Sequence, residues 1–89
     1  MSAIEVTIVN RLGLHARAAA KFVHLAGTFT SRVTVSKDGT RVDGKSILGL
    51  LTLAASKGSK LLLTIQGDDE VEAATKLSDL VRSRFGEDE

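Results

Sequence analysis

The sequence predicts an α+β fold in the order βαββαβα, a four-stranded antiparallel sheet with three helices on one face. Three observations carry this. Apolar residues alternate at Ile4, Val6, Ile8 and again at Leu61, Leu63, Ile65, the period of strands that bury one side. Asp38-Gly39 separates two short strand-like runs, and Asp-Gly is a strong two-residue hairpin signal. Two stretches place apolar residues at helical spacing: Ala19, Phe22, Val23, Ala26 and Ala74, Leu77, Val81, Phe85. Helices that all cover one face of an antiparallel sheet make an open-faced sandwich. The 89 residues are enough for a single domain over 1–89.

Each element has a local reason. The first strand is expected over residues 3–9, with Ile4, Val6 and Ile8 inward and Glu5 and Thr7 outward. Asn10 and Gly13 are turn residues. The first helix is expected over residues 16–27, with Gly27 as its stop and Arg17, Lys21, His24 and Thr28 on its wet face. Arg32–Lys37 and Thr40–Asp43 form the hairpin, with Val33 and Val35 on one side. Ser46 is a good N-cap for a short helix over residues 47–54. Leu50 and Leu53 share one side of that helix, and Ile47, Leu48 and Leu51 spread across about the next 100°. An open sheet cannot bury that whole arc, so part of it is expected as an exposed docking patch. The fourth strand covers Lys60–Gln66, with Leu61, Leu63 and Ile65 inward. The third helix starts after Asp68-Asp69, where Asp69 and Glu72 are placed for a capping-box-like pair. Lys76, Arg82 and Arg84 lie toward its end, as the helix dipole prefers. Gly86 closes it, and Glu87-Asp88-Glu89 reads as a frayed tail.

Composition excludes several functions. Twelve basic and 11 acidic residues leave a formal charge of +1, too balanced to coat a polyanion. Phe22, Phe29 and Phe85 are the only aromatics, so single-stranded nucleic acid finds no stacking platform. Without cysteine there is no disulfide and no thiolate metal site. At about 100° per residue His15 and His24 fall on opposite sides of a helix, which disfavours a two-histidine metal site. Neither metal nor cofactor is expected. The longest apolar segment, residues 47–55, is broken by Gly49 and Thr52 and is too short to span a bilayer. The start of the chain lacks the basic and long apolar regions of a signal peptide. A cytoplasmic monomer is the expectation.

The chemistry gathers in Asn10-Arg11-Leu12-Gly13-Leu14-His15-Ala16-Arg17, a strand end, a turn and a helix start. His15 falls at or just before the first helical turn. The first N–H groups of a helix lack internal partners and carry partial positive charge, which suits an anion. Arg17 adds a planar, permanently charged fork. Between Glu5 and Asp38 there is no acidic residue, while Arg11, Arg17, Lys21, Arg32 and Lys37 fall inside the span. No carboxylate close in sequence is placed to act as a general base or to hold the imidazole. The chemistry that fits is His15 itself carrying the transferred group, phosphoryl above all. Its charge is then met by Arg17 and by the N–H groups of Ala16, Arg17 and Ala18. A surface histidine beside a helix cap is the competing reading of an isolated His-x-Arg.

The pattern Asn10-Arg11-x-Gly13-x-His15-Ala16-Arg17 resembles the phosphorylation-site signature of the HPr family, the histidine phosphocarriers of the phosphoenolpyruvate-dependent phosphotransferase system. Length, element order and Gly44-Lys45-Ser46-Ile47 are similar as well, so the resemblance spans nearly the whole chain. It implies strand order 1-4-2-3. It implies a covalent carrier and not a turnover enzyme: enzyme I phosphorylates His15 on Nδ1, and an IIA-type domain takes the group in sugar uptake. It implies partner docking through Ala20, His24, Ile47, Leu48 and Leu51. It also makes Ser46 a candidate regulatory site for HPr kinase/phosphorylase, although the N-cap role alone accounts for a serine there. The family usually has proline after the arginine, and this chain has Ala18, which holds the turn with more freedom in the unfolded chain. A regulatory or nitrogen-branch relative, signalling through phospho-His15 or phospho-Ser46, is the alternative. A small nucleic-acid-binding domain is a third class, opposed by the charge balance and the scarce aromatics.

Overall fold

The structure, a computed structural model, describes residues 1–89. In chain order it contains β1 (Ser2–Thr7), α1 (Ala16–Ala26), β2 (Arg32–Lys37), β3 (Thr40–Asp43), α2 (Ile47–Thr52), β4 (Lys60–Gln66), α3 (Glu70–Arg82) and a 3-10 turn at Arg84–Gly86. The strands form one antiparallel sheet in the order β1-β4-β2-β3.

Alternation sets the register. Ile4 stands opposite Leu63, Val6 opposite Leu61, Val33 opposite Ile65, and Val35 opposite both Leu63 and Val42. A slip of one residue would turn every one of these side chains to water. Together they form the floor of a single core, closed from above by Ala18, Ala19, Phe22 and Ala26 of α1, Leu50 of α2, and Ala73, Leu77 and Val81 of α3. The other side of the sheet carries Glu5, Thr7, Thr34, Leu62 and Arg41 and has no helix over it. The hairpin turn has φ of 51° at Asp38 and 85° at Gly39, the two positive values that a two-residue turn of matching twist requires.

The structure corrects several expectations. β1 ends at Thr7 and α1 at Ala26. α2 stops at Thr52, and Ala54, with φ of 49°, reverses the chain where the helix was expected to continue. The buried face of α1, which packs against both α2 and α3, includes Ala18 and leaves Val23 half-buried. On α3 the buried stripe is Ala73, Leu77, Ser78 and Val81, with Ala74 half-buried, since this helix packs on β1 and β4 and on α1 at once. Phe85 is fully buried but lies beyond the helix: Arg84 (φ 61°) and Phe85 (φ 54°) turn the chain back over the core.

The capping box on α3 does not form. Asp69 makes no side-chain cap, and Glu72 pairs with Lys76 at 2.9 Å instead. The Asp69 carboxylate turns to the α1–β2 loop. It accepts the N–H of Thr30 at 2.9 Å and of Ser31 at 3.0 Å, along with both hydroxyls. Those loop N–H groups have no ladder partner, and a charged acceptor satisfies them better than water does. The Ser31 hydroxyl, then the Thr30 N–H, pull the Asp69 pKa down from 3.8 to about 2.

Candidate phosphoryl-accepting site

The site is built from the β1–α1 turn and the last residues of the chain. Asn10 is fully buried, and its Nδ2 donates to Gly13 O at 2.8 Å and to Glu87 Oε1 at 2.9 Å. Gly13 has φ of 70°, and a Cβ there would lie 2.5 Å from Ala55 O. Only glycine lets the turn press this closely on residues 55–56, where the Leu14 N–H donates to Ala55 O at 2.8 Å. The turn therefore delivers His15 to a fixed place.

His15 is the N-cap of α1, with extended backbone (φ −78°, ψ 177°). Its Nδ1 accepts the N–H of Arg17 at 3.3 Å. Its Nε2 bonds the Oε2 of Glu87. The Asn10 amide first, and His15 second, hold the Glu87 carboxyl below the usual carboxylate range, so at neutral pH it is ionised and only accepts. The two partners thus assign the ring: Nε2 carries the hydrogen and Nδ1 presents a lone pair to the helix start. The His15 side chain keeps 27% of its surface accessible, enough to be reached. No protein acceptor meets the N–H groups of Ala16 and Ala18. The exposed Arg17 lines a cleft of about 220 Å³ with Arg11, Leu12, Glu87, Asp88 and Glu89.

Sequence reasoning missed Glu87 and the buried role of Asn10. Residues 87–89 are tied down: Arg11 N–H donates to Glu89 O at 2.9 Å, Arg11 Nε pairs with Glu89 Oε2 at 3.1 Å, and Arg84 Nε donates to Glu87 O at 3.2 Å. Lys21 Nζ donates to Phe85 O at 2.7 Å just before them. The carboxylate that the neighbourhood of His15 lacks comes from the far end of the chain. One signal was available: an acid-free span rich in Arg and Lys calls for acids from elsewhere, and three stand together at 87–89.

On α2 the Ser46 Oγ accepts the Gly49 N–H at 3.0 Å, the capping geometry expected from sequence. Leu50 and Leu53 are buried and Leu51 is half-buried, while Ile47 (40%) and Leu48 (77%) face solvent. α1 and α2 pack against each other, with Ala20 half-buried and His24 exposed on α1. Leu12, 58% exposed, adds an apolar group beside Arg17 that sequence reasoning did not single out. No group of three His, Asp or Glu side chains is placed to hold a metal ion. No helix is long and apolar enough to cross a membrane.

Comparison with known proteins agrees with this geometry. The family described as "PTS HPr component phosphorylation site" matches residues 3–83. The chain is 52% identical over 85 residues to the phosphocarrier protein HPr of Cupriavidus necator, covering 96% of each. The crystal structure of an HPr from Thermoanaerobacter tengcongensis superposes with a TM-score of 0.96 at 45% identity, covering all of both chains. A structure described as an HPr dimer from the same organism gives a TM-score of 0.78 at 46% identity, covering 98% of this chain and 100% of that one. A sheet of order 1-4-2-3 under three helices, a helix-capping histidine followed by arginine, and half-identical relatives along the whole length place this chain in the HPr family of phosphocarriers of the phosphotransferase system.

Proposed function

We propose that this chain takes a phosphoryl group from enzyme I on Nδ1 of His15 and hands it to an IIA-type domain in sugar uptake. The observation that carries this reading is the orientation of His15: Nε2 is engaged by Glu87, and Nδ1 faces the start of α1. In the transfer the Nδ1 lone pair forms the N–P bond while the donor's bond to phosphorus breaks and its electron pair leaves with the donor. The equatorial oxygens then meet the N–H groups of Ala16 and Ala18, the Arg17 N–H as it leaves Nδ1, and the Arg17 guanidinium. Ala18 retains an N–H that a proline there would lack. Ala20, His24, Ile47, Leu48 and Leu51 dock the partners, and Ser46 is the site at which HPr kinase/phosphorylase regulates docking.

The carrier works in the cytoplasm, as a monomer in one domain, with neither nucleic acid nor metal. Incubation with enzyme I and phosphoenolpyruvate followed by mass spectrometry tests the assignment. One acid-labile phosphoryl group is expected on the native chain and none on His15→Ala; undiminished labelling of the variant sinks the reading. Light scattering of the purified chain checks the monomer, against the dimer seen for a similar protein. Ala18 favours keeping one alternative, a regulatory or nitrogen-branch carrier, which the identity of the accepting IIA domain separates from the sugar branch.

A further inference from the structure

We infer that Glu87, aligned by Asn10, is a positioning residue that keeps the proton on Nε2 of His15 through both halves of phosphoryl transfer; this rests on the carrier reading above. The arrangement is a chain of single-valued contacts. Both donors of the buried Asn10 amide are spoken for, by Gly13 O and Glu87 Oε1. A rotated amide would set its oxygen against two oxygens, so the orientation is determined. With Oε1 held, Oε2 is left for Nε2 of His15. The carboxylate is anchored on both sides along the chain, by Lys21 on Phe85 O and by Arg11 on Glu89.

The chemistry needs that proton in that place. Neutral imidazole protonated on Nε2 attacks through Nδ1, and the ring then bears positive charge shared with Nε2–H. The Glu87 carboxylate balances this charge. In onward transfer the N–P bond breaks and its pair returns to Nδ1, leaving neutral imidazole. Without the Nε2 proton the leaving group is an imidazolate, a far poorer one. With it, no proton moves in either direction. In the opposite tautomer Nδ1 carries the hydrogen and has no lone pair to offer.

The test reads the tautomer directly. Nitrogen-15 NMR of the imidazole in the full unphosphorylated chain is expected to show predominantly the Nε2–H form. Glu87→Ala moves it toward the mixture of free imidazole. Glu87→Gln goes further, because an amide has one oxygen: directed to Asn10 it leaves its NH₂ facing Nε2, which then becomes an acceptor and shifts the hydrogen to Nδ1. In phosphotransfer with enzyme I the maximal rate is expected to fall on the order of tenfold or more in Glu87→Gln, as wrong-tautomer variants of histidine sites do. Half-saturation stays near the native value, and circular dichroism confirms folding. With an active native chain, an unchanged tautomer in both variants, or a changed tautomer with unchanged maximal rate, overturns the inference alone. A native chain that accepts no phosphoryl overturns the carrier reading and this inference with it.

Discussion

At the scale of single residues the site is an exercise in fixing one imidazole. Gly13 lets the turn approach Ala55, Asn10 holds the turn and Glu87, and Glu87 holds Nε2. Arg17 has two separate parts in this. Its backbone N–H contacts Nδ1, and its exposed side chain lines the cleft shared with Arg11 and residues 87–89. Lysine at this position preserves the N–H and the charge but loses the planar, forked donor. Arg17→Lys is therefore expected to slow phosphotransfer from enzyme I with little change in melting temperature. Stopped-flow transfer rates alongside thermal denaturation check this, and native-like rates would reduce Arg17 to a surface cation.

At the scale of elements, α2 separates buried from exposed leucines within six residues. Leu50 is 1% exposed and Leu48 is 77% exposed, two positions apart on one helix. Leu50→Ala is expected to cost about 2–5 kcal/mol of stability, the range for buried leucine. Leu48→Glu is expected to stay within about 0.5 kcal/mol in stability, as exposed substitutions do, while weakening enzyme I binding. Calorimetry of folding and of binding measures both; a large stability loss for Leu48→Glu would remove it from the docking surface. Ser46 sits at the N-cap beside this patch. On the docking proposal, a charge there costs desolvation against an apolar partner surface, while Ser46 makes no contact with His15. Ser46→Asp is expected to raise the half-saturation for phosphotransfer at near-normal maximal rate. A normal half-saturation with a collapsed maximal rate would mean that Ser46 acts on His15 itself.

At the scale of the whole molecule, polar clamps join what the sheet alone leaves apart. Asp69 ties the start of α3 to the α1–β2 loop, and Glu87 ties the end of the chain to the β1–α1 turn. The Asp69 carboxyl falls from 3.8 to about 2 on folding because its ionised form accepts the Ser31 hydroxyl and the loop N–H groups. A depressed folded value means that the stabilisation is complete above about 3.8 and is lost as pH falls toward about 2. Glu87, also depressed, adds to the same acid limb below its ordinary 4.5. Denaturant melts of native chain and Asp69→Asn between pH 5 and pH 2 are expected to converge at the acid end. A constant gap between them would show that Asp69 acts through packing and not through its charge.

Most of the secondary structure was legible because its signals are local. Alternation placed Lys60–Gln66, Asp38-Gly39 placed the hairpin, and Ser46 placed the start of α2, each from a handful of neighbouring residues. His15 at a helix cap with Arg17 after it was equally local. The arc of leucines on α2 exceeded what one sheet can cover, which foretold exposure there. Glu87 was not legible. It stands 72 residues from His15, in a short acidic run with no periodicity. Asp69 was read as a partner of its own helix, and in the fold it serves a loop 38 residues away. Sequence determines what backbone periodicity, turn chemistry and caps dictate within a few residues. Which carboxylate meets which donor was decided only when the closed sheet and its helices brought distant loops within hydrogen-bond reach.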